Sequence, residues 1–151
     1  MNIHDIVREP DEHVRFAAYL DELRQVGDAD EADLVIRVLG DPDRTMARSA
    51  VLRHLDRRAA ALLLGSAYEG WARGIAPLLI GRPLLTARLR EWSLLRAITL
   101  KRAWHPADLL ASSNRLQLKA AESSAEAAEI LAEGGRTRRI RNSAKAARLR
   151  P

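Results

Sequence analysis

Residues 41–55 read DPDRTMARSAVLRHL, and 32 positions earlier residues 9–23 read EPDEHVRFAAYLDEL. Five of the fifteen aligned positions are identical: Pro10/Pro42, Asp11/Asp43, Ala18/Ala50, Leu20/Leu52 and Leu23/Leu55. Val14/Met46 and Ala17/Ser49 are close substitutions. The shared pattern is an apolar residue, a small residue four on and an apolar residue nine on. It recurs at Leu89, Ser93 and Ile98, and again at Ile140, Ala144 and Leu149. On a helix, positions zero and four share one face, and position nine lies roughly half a turn away. A helix that is apolar on two sides packs on both, and its small residue admits a close neighbour. This describes the inner helix of a stacked helical hairpin.

Proline and glycine punctuate the rest of the chain in the same sense. Proline is favoured in the first turn of a helix and glycine just past its end. Residues 10–26 therefore read as a helix with Glu9 or Asp11 near its cap. Residues 30–39 read as a second helix, and Asp41 is expected to cap a third that starts at Pro42 and ends near Gly65. Ser66 with Glu69, and Ser123 with Glu126, have capping-box spacing. Pro77 should kink or end a helix, and Pro83 should open one running to about Lys101. Trp104-His105-Pro106 breaks the chain. Ser112, Ser113 and Asn114 divide the stretch 106–122, and Thr137 caps a last helix to about Arg148. No alternating strand pattern occurs, and the apolar content is Ala- and Leu-rich with few aromatic or β-branched residues.

Asp41-Pro42-Asp43 with Met46, Ala50, Leu52 and Leu55 resembles the start of the second helix of a HEAT-type repeat. Glu9-Pro10-Asp11 followed by Val14, Arg15, Ala17 and Ala18 is a closer match. The resemblance is clearest over 1–63 and weaker over 66–103 and 106–149. Its 32-residue spacing is shorter than the usual ~40–47. It implies an all-α, short right-handed α-solenoid of four to five hairpins without a sheet, forming one domain over 1–151. It also implies a binding scaffold, most often for proteins and sometimes for nucleic acid, as in DNA glycosylases built on this fold.

The net charge of +5 hides a strong asymmetry. Residues 1–43 hold twelve acidic and four basic residues, whereas 134–151 hold seven basic residues and no acidic one. Arg outnumbers Lys 22 to 3, which suits phosphate and carboxylate recognition and is also the usage of a GC-rich, bacterial-like genome. On the last helix Arg138, Arg141, Lys145 and Arg148 form a stripe of about 80°. Ile140, Ala144 and Ala147 form the buried side. Arg90 and Arg141 occupy equivalent repeat positions, and Arg53 and Arg96 share another. In stacked repeats these cations would line up as a basic row.

Signals for chemistry are weak. Without cysteine there is no disulfide, thiolate zinc site or cysteine nucleophile. No two of His4, His13, His54 and His105 stand four apart as helical metal ligands do. Asp28 to Asp33 lacks the central glycine and the distant glutamate of a calcium loop and reads as helix capping. The glycines form no phosphate-cradling loop, and Gly65-Ser66 is no nucleophile elbow. Trp71, Trp92 and Trp104 read as gap-filling core residues or as a stacking surface. Met1–Val7 carries Asp5 with no apolar segment following, and no apolar run approaches the ~20 residues that span a bilayer. The expectation is a cytoplasmic, non-catalytic interaction module without a cofactor. It would present a surface to a protein partner, or alternatively bind nucleic acid through its basic face, and would not engage a membrane.

Overall fold

The computed structural model describes residues 11–149, and every regular element within them is helical. In chain order these are α1 (Glu12–Gln25), α2 (Glu31–Leu39), α3 (Arg44–Leu62), α4 (Tyr68–Ile75), a 3-10 turn (Ala76–Leu79), α5 (Pro83–Thr99), α6 (Pro106–Leu110), α7 (Asn114–Ser123), α8 (Ala125–Gly134) and α9 (Arg138–Arg148). Glu9 and Pro10, with the cap and helix start expected there, lie outside the described residues.

The two halves of the sequence repeat begin alike. Asp11 Oδ1 accepts the Val14 amide at 3.0 Å, and Asp43 Oδ1 accepts the Met46 amide at 3.0 Å. Each aspartate thus satisfies one of the orphan donors at a helix start. The cap of α3 is Asp43, not Asp41 as the proline position suggested. Asp41 instead accepts the Asp43 amide at 2.9 Å from outside the helix. The Ser66 box also fails to cap, because α4 starts at Tyr68. The second box is displaced by one residue: Ser124 accepts the Ala127 amide, while Ser123 donates back to the Lys119 carbonyl. Ser113 and Thr137 cap α7 and α9. Pro77 falls in the 3-10 turn, where the α4 helix ends. Gly81, with φ at +81°, takes the left-handed turn that precedes α5.

The described residues group into two compact units, 11–61 with 69–86 and 62–68 with 87–149. In the first, Leu23, Val35, Val38, Val51, Leu55 and Leu79 are buried. In the second, α7, α8 and α9 each pack on the other two. Their contact surfaces are small, with Ala120, Ala121, Ala127, Ala128 and Ala144 all buried. Gly135 permits the tightest approach. A Cβ there would lie 2.7 Å from both Ile140 Cγ2 and the Leu131 carbonyl oxygen.

The repeated pattern is packed unequally. Met46, Ala50 and Leu55 of α3 are all buried, as a helix packed on two sides requires. In α1 only Leu23 is buried and Val14 is 54% exposed. In α9 Ile140 and Ala144 are buried, but Leu149, just past its end, is 81% exposed. No helix among the described residues is long and apolar enough to cross a membrane.

Candidate functional site

The basic helix α9 is anchored before it is charged. Thr137 Oγ1 accepts the Ile140 amide at 3.1 Å, and Ile140 and Ala144 dock the helix on its neighbours. That leaves Arg138, Arg139, Lys145 and Arg148 exposed, and no ion pair among the described residues engages them. Arg138, Lys145 and Arg148 lie along one edge of the helix, reaching roughly 15 Å at 1.5 Å per residue. Arg141 departs from the expected stripe. It is half-buried, and its Nη1 donates to the Gly135 carbonyl at 2.8 Å, closing the α8–α9 turn.

The other cations of the expected basic row are differently placed. Arg96 is buried at 6% exposure. Its Nη1 donates to the Gly65 carbonyl at 3.0 Å and to that of Leu63, with its guanidinium 5.3 Å from the Tyr68 ring centre. It ties down the carbonyls at the end of a helix and is not open to a partner. Arg53 is exposed on α3 and sits 5.2 Å over Phe16 within the first unit. Arg90 is exposed on α5 in the second.

The tryptophans act as fillers and donors. Trp92 is 4% exposed, covered by the Arg115 guanidinium and the Lys119 ammonium, each 5.3 Å from the ring centre. Trp104 is half-buried. Trp71 belongs to a buried polar cluster that sequence reasoning missed. Its Nε1 donates to both oxygens of Glu31 at 3.1 and 3.2 Å. His54 Nε2 lies 2.6 Å from Glu31 Oε2, and Arg58 Nε donates to the same oxygen at 3.0 Å. Burial by itself raises the Glu31 pKa, but the hydrogen bonds from His54, Trp71 and Arg58 outweigh it and hold the carboxyl at about 2. Arg57 Nη2 donates to His54 Nδ1 at 3.1 Å and to the Leu23 carbonyl at 2.8 Å. Since a guanidinium can only donate, Nδ1 accepts in this arrangement and Nε2 is directed at Glu31.

A signal for this cluster was present. Glu31 is in helical phase with the buried Val35 and Val38, and His54 with the buried Ala47, Ala50 and Val51. A polar residue in phase with an apolar face is a buried one. The cluster ties α2, α3 and α4 together through hydrogen bonds that satisfy the Glu31 carboxylate, so it reads as structural. No group of three or more His, Asp or Glu side chains among the described residues is arranged to hold a metal ion. Comparison with protein-family models, curated proteins and solved structures gives no match.

Proposed function

We propose that the chain is a non-catalytic, cytoplasmic helical-repeat interaction module, a short HEAT-like solenoid, that docks an acidic protein surface on the exposed edge of α9. One observation carries the reading: Arg138, Lys145 and Arg148 are held exposed on a well-anchored helix with no ion pair among the described residues. A row of exposed cations of this kind is complementary to an acidic surface. The alike capping of helices α1 and α3 by Asp11 and Asp43 supports the repeat reading.

Nucleic acid is the second reading, favoured by the arginine-rich character of the same edge, since guanidinium forks match phosphate oxygens. A salt titration separates the two. Duplex DNA held by three phosphate contacts should show a log–log slope near −2.7, at roughly −0.9 per contact. A protein module should show negligible duplex binding at physiological salt. It should retain one acidic partner in a co-purification that the Arg138→Gln, Lys145→Gln, Arg148→Gln triple variant no longer retains. Equal retention by both proteins would overturn the assignment of α9.

A further inference from the structure

The first unit opens a cleft of about 780 Å3 that α9 does not share. Its walls are the turn after α2 (Leu39 to Pro42), the first two turns of α3 and the segment Gly81 to Leu85 leading into α5. The volume falls within the ~300–1,000 Å3 typical of small-ligand sites.

Three arginines line it: Arg44, Arg48 and Arg82. Arg44 and Arg48 stand one turn apart on α3, are exposed, and have no hydrogen bond or ion pair among the described residues. Both placements oppose helix electrostatics. Like charges at i and i+4 repel, and cations in the opening turns face the positive end of the helix dipole. The Asp43 carboxylate at the cap offsets the dipole in part, and no acidic residue follows it in the first turn of α3. Arg82 is half-buried in the segment leading into α5 and is held by donating Nη2 to the Leu39 carbonyl at 3.2 Å.

The carboxylate on the wall, Asp41, is already committed. It accepts Arg15 Nε at 3.0 Å, Arg15 Nη2 at 3.3 Å, the Tyr19 hydroxyl at 2.8 Å and the Asp43 amide at 2.9 Å. Arg15 therefore absorbs its charge, and the cleft keeps an excess of positive charge. Beside the cations lie the Thr45 hydroxyl and an apolar strip of Pro83 and the 54%-exposed Leu84.

We propose that this cleft binds a small organic phosphate. Arg44, Arg48 and Thr45 take the phosphate together with Arg82, while the organic body lies on Pro83 and Leu84. A phosphate is preferred to a carboxylate because three guanidiniums offer more donors than one carboxylate can accept, and a dianion offsets more of their repulsion. An anion bridging the two exposed guanidiniums one turn apart would remove their mutual repulsion.

The test uses phenyl phosphate, inorganic phosphate and benzoate as probes, with calorimetry for affinity and amide chemical shifts for location. Phenyl phosphate is expected to saturate, to bind more tightly than either other probe and to move amides of 39–48 and 81–86. The Arg44→Gln, Arg48→Gln double variant should lose about tenfold or more in affinity. Its melting temperature should stay level or rise, because a repulsive pair has been removed. Leu84→Ser should weaken phenyl phosphate and leave inorganic phosphate unchanged, and the α9 triple variant should bind as wild type does. The proposal is overturned by no saturation below roughly 10 mM, by benzoate binding as tightly, or by a double variant that binds normally. A double variant that melts well below wild type would overturn it too, since the arginines would then be structural. Duplex DNA binding that depends on Arg44 and Arg48 would also overturn it, by reassigning the cleft to a macromolecule.

Discussion

Glu31 is the residue on which the first unit's polar interior turns. Its carboxylate collects donors from three side chains on α3 and α4, and its pKa is held at about 2 against a reference of 4.5. The unfolded chain therefore binds more protons than the folded one as pH falls below about 4.5, and stability drains away from there towards pH 2. At neutral pH this carboxylate contributes at most about 3 kcal/mol. Glu31→Gln leaves the Arg58 guanidinium without its buried counter-charge and should lower stability by about 2–4 kcal/mol at pH 7. Urea titrations at pH 7 and at steps down to pH 2.5 check both effects. The variant should lose midpoint at neutral pH and show a shallower decline in acid. Some acid dependence should remain, because the Arg15 guanidinium beside Asp41 also holds that carboxyl below its usual range. An unchanged midpoint at pH 7 would mean that the cluster is not a stabilising one.

At the scale of the element, the turn between α8 and α9 decides how the basic helix is presented. Gly135 is there for closeness and not for a special backbone angle, since its φ is −56°. Gly135→Ala drives a methyl against Ile140 and the Leu131 carbonyl and should cost about 1–3 kcal/mol through overpacking. Gly74, inside α4, has nothing within 4 Å of its missing Cβ. Gly74→Ala should therefore be neutral or stabilise by up to about 1 kcal/mol through helix propensity. Thermal melts of the pair test the distinction, and equal shifts would refute it. Removing the cap with Thr137→Ala should cost about 1 kcal/mol, read in the same melts. Capping was legible in the sequence to within one or two positions. Asp11 and Thr137 cap where expected, Ser124 lies one position and Asp43 two positions from the expected residue, and the Ser66 box does not cap. The choice of Asp43 over Asp41 was not legible, because it depends on Arg15 and Tyr19 reaching across from α1.

Over the whole molecule the charge is divided as the chain is. Among the described residues, the unit containing α9 holds 13 basic and six acidic residues, while the other holds 10 and 12. Surface charges of this kind govern association more than folding. The Arg138→Gln, Lys145→Gln, Arg148→Gln variant should keep its helical circular dichroism and lose under about 1 kcal/mol per site. Its partner retention should fall and lose its salt dependence. Arg141 is left out of the variant because its bond to the Gly135 carbonyl is structural. Adding Arg141→Gln should lower the melting temperature further without changing the salt dependence, and a melt of the quadruple variant measures this.

Helical class, helix number and most helix ends were determined by local sequence: periodicity, proline, glycine and short capping side chains act within a few residues of themselves. The asymmetry of charge was equally legible, being a property of composition. Only the tertiary structure decided which arginines are available. Arg96 turned inward to carbonyls at the end of α3, Arg141 closed a turn, and Arg44 and Arg48 came to line one cleft with Arg82. The physical reason is the reach of the side chain. An arginine samples a wide shell around its backbone position, and whether that shell holds a carbonyl, a ring or solvent is set by chain segments distant in sequence.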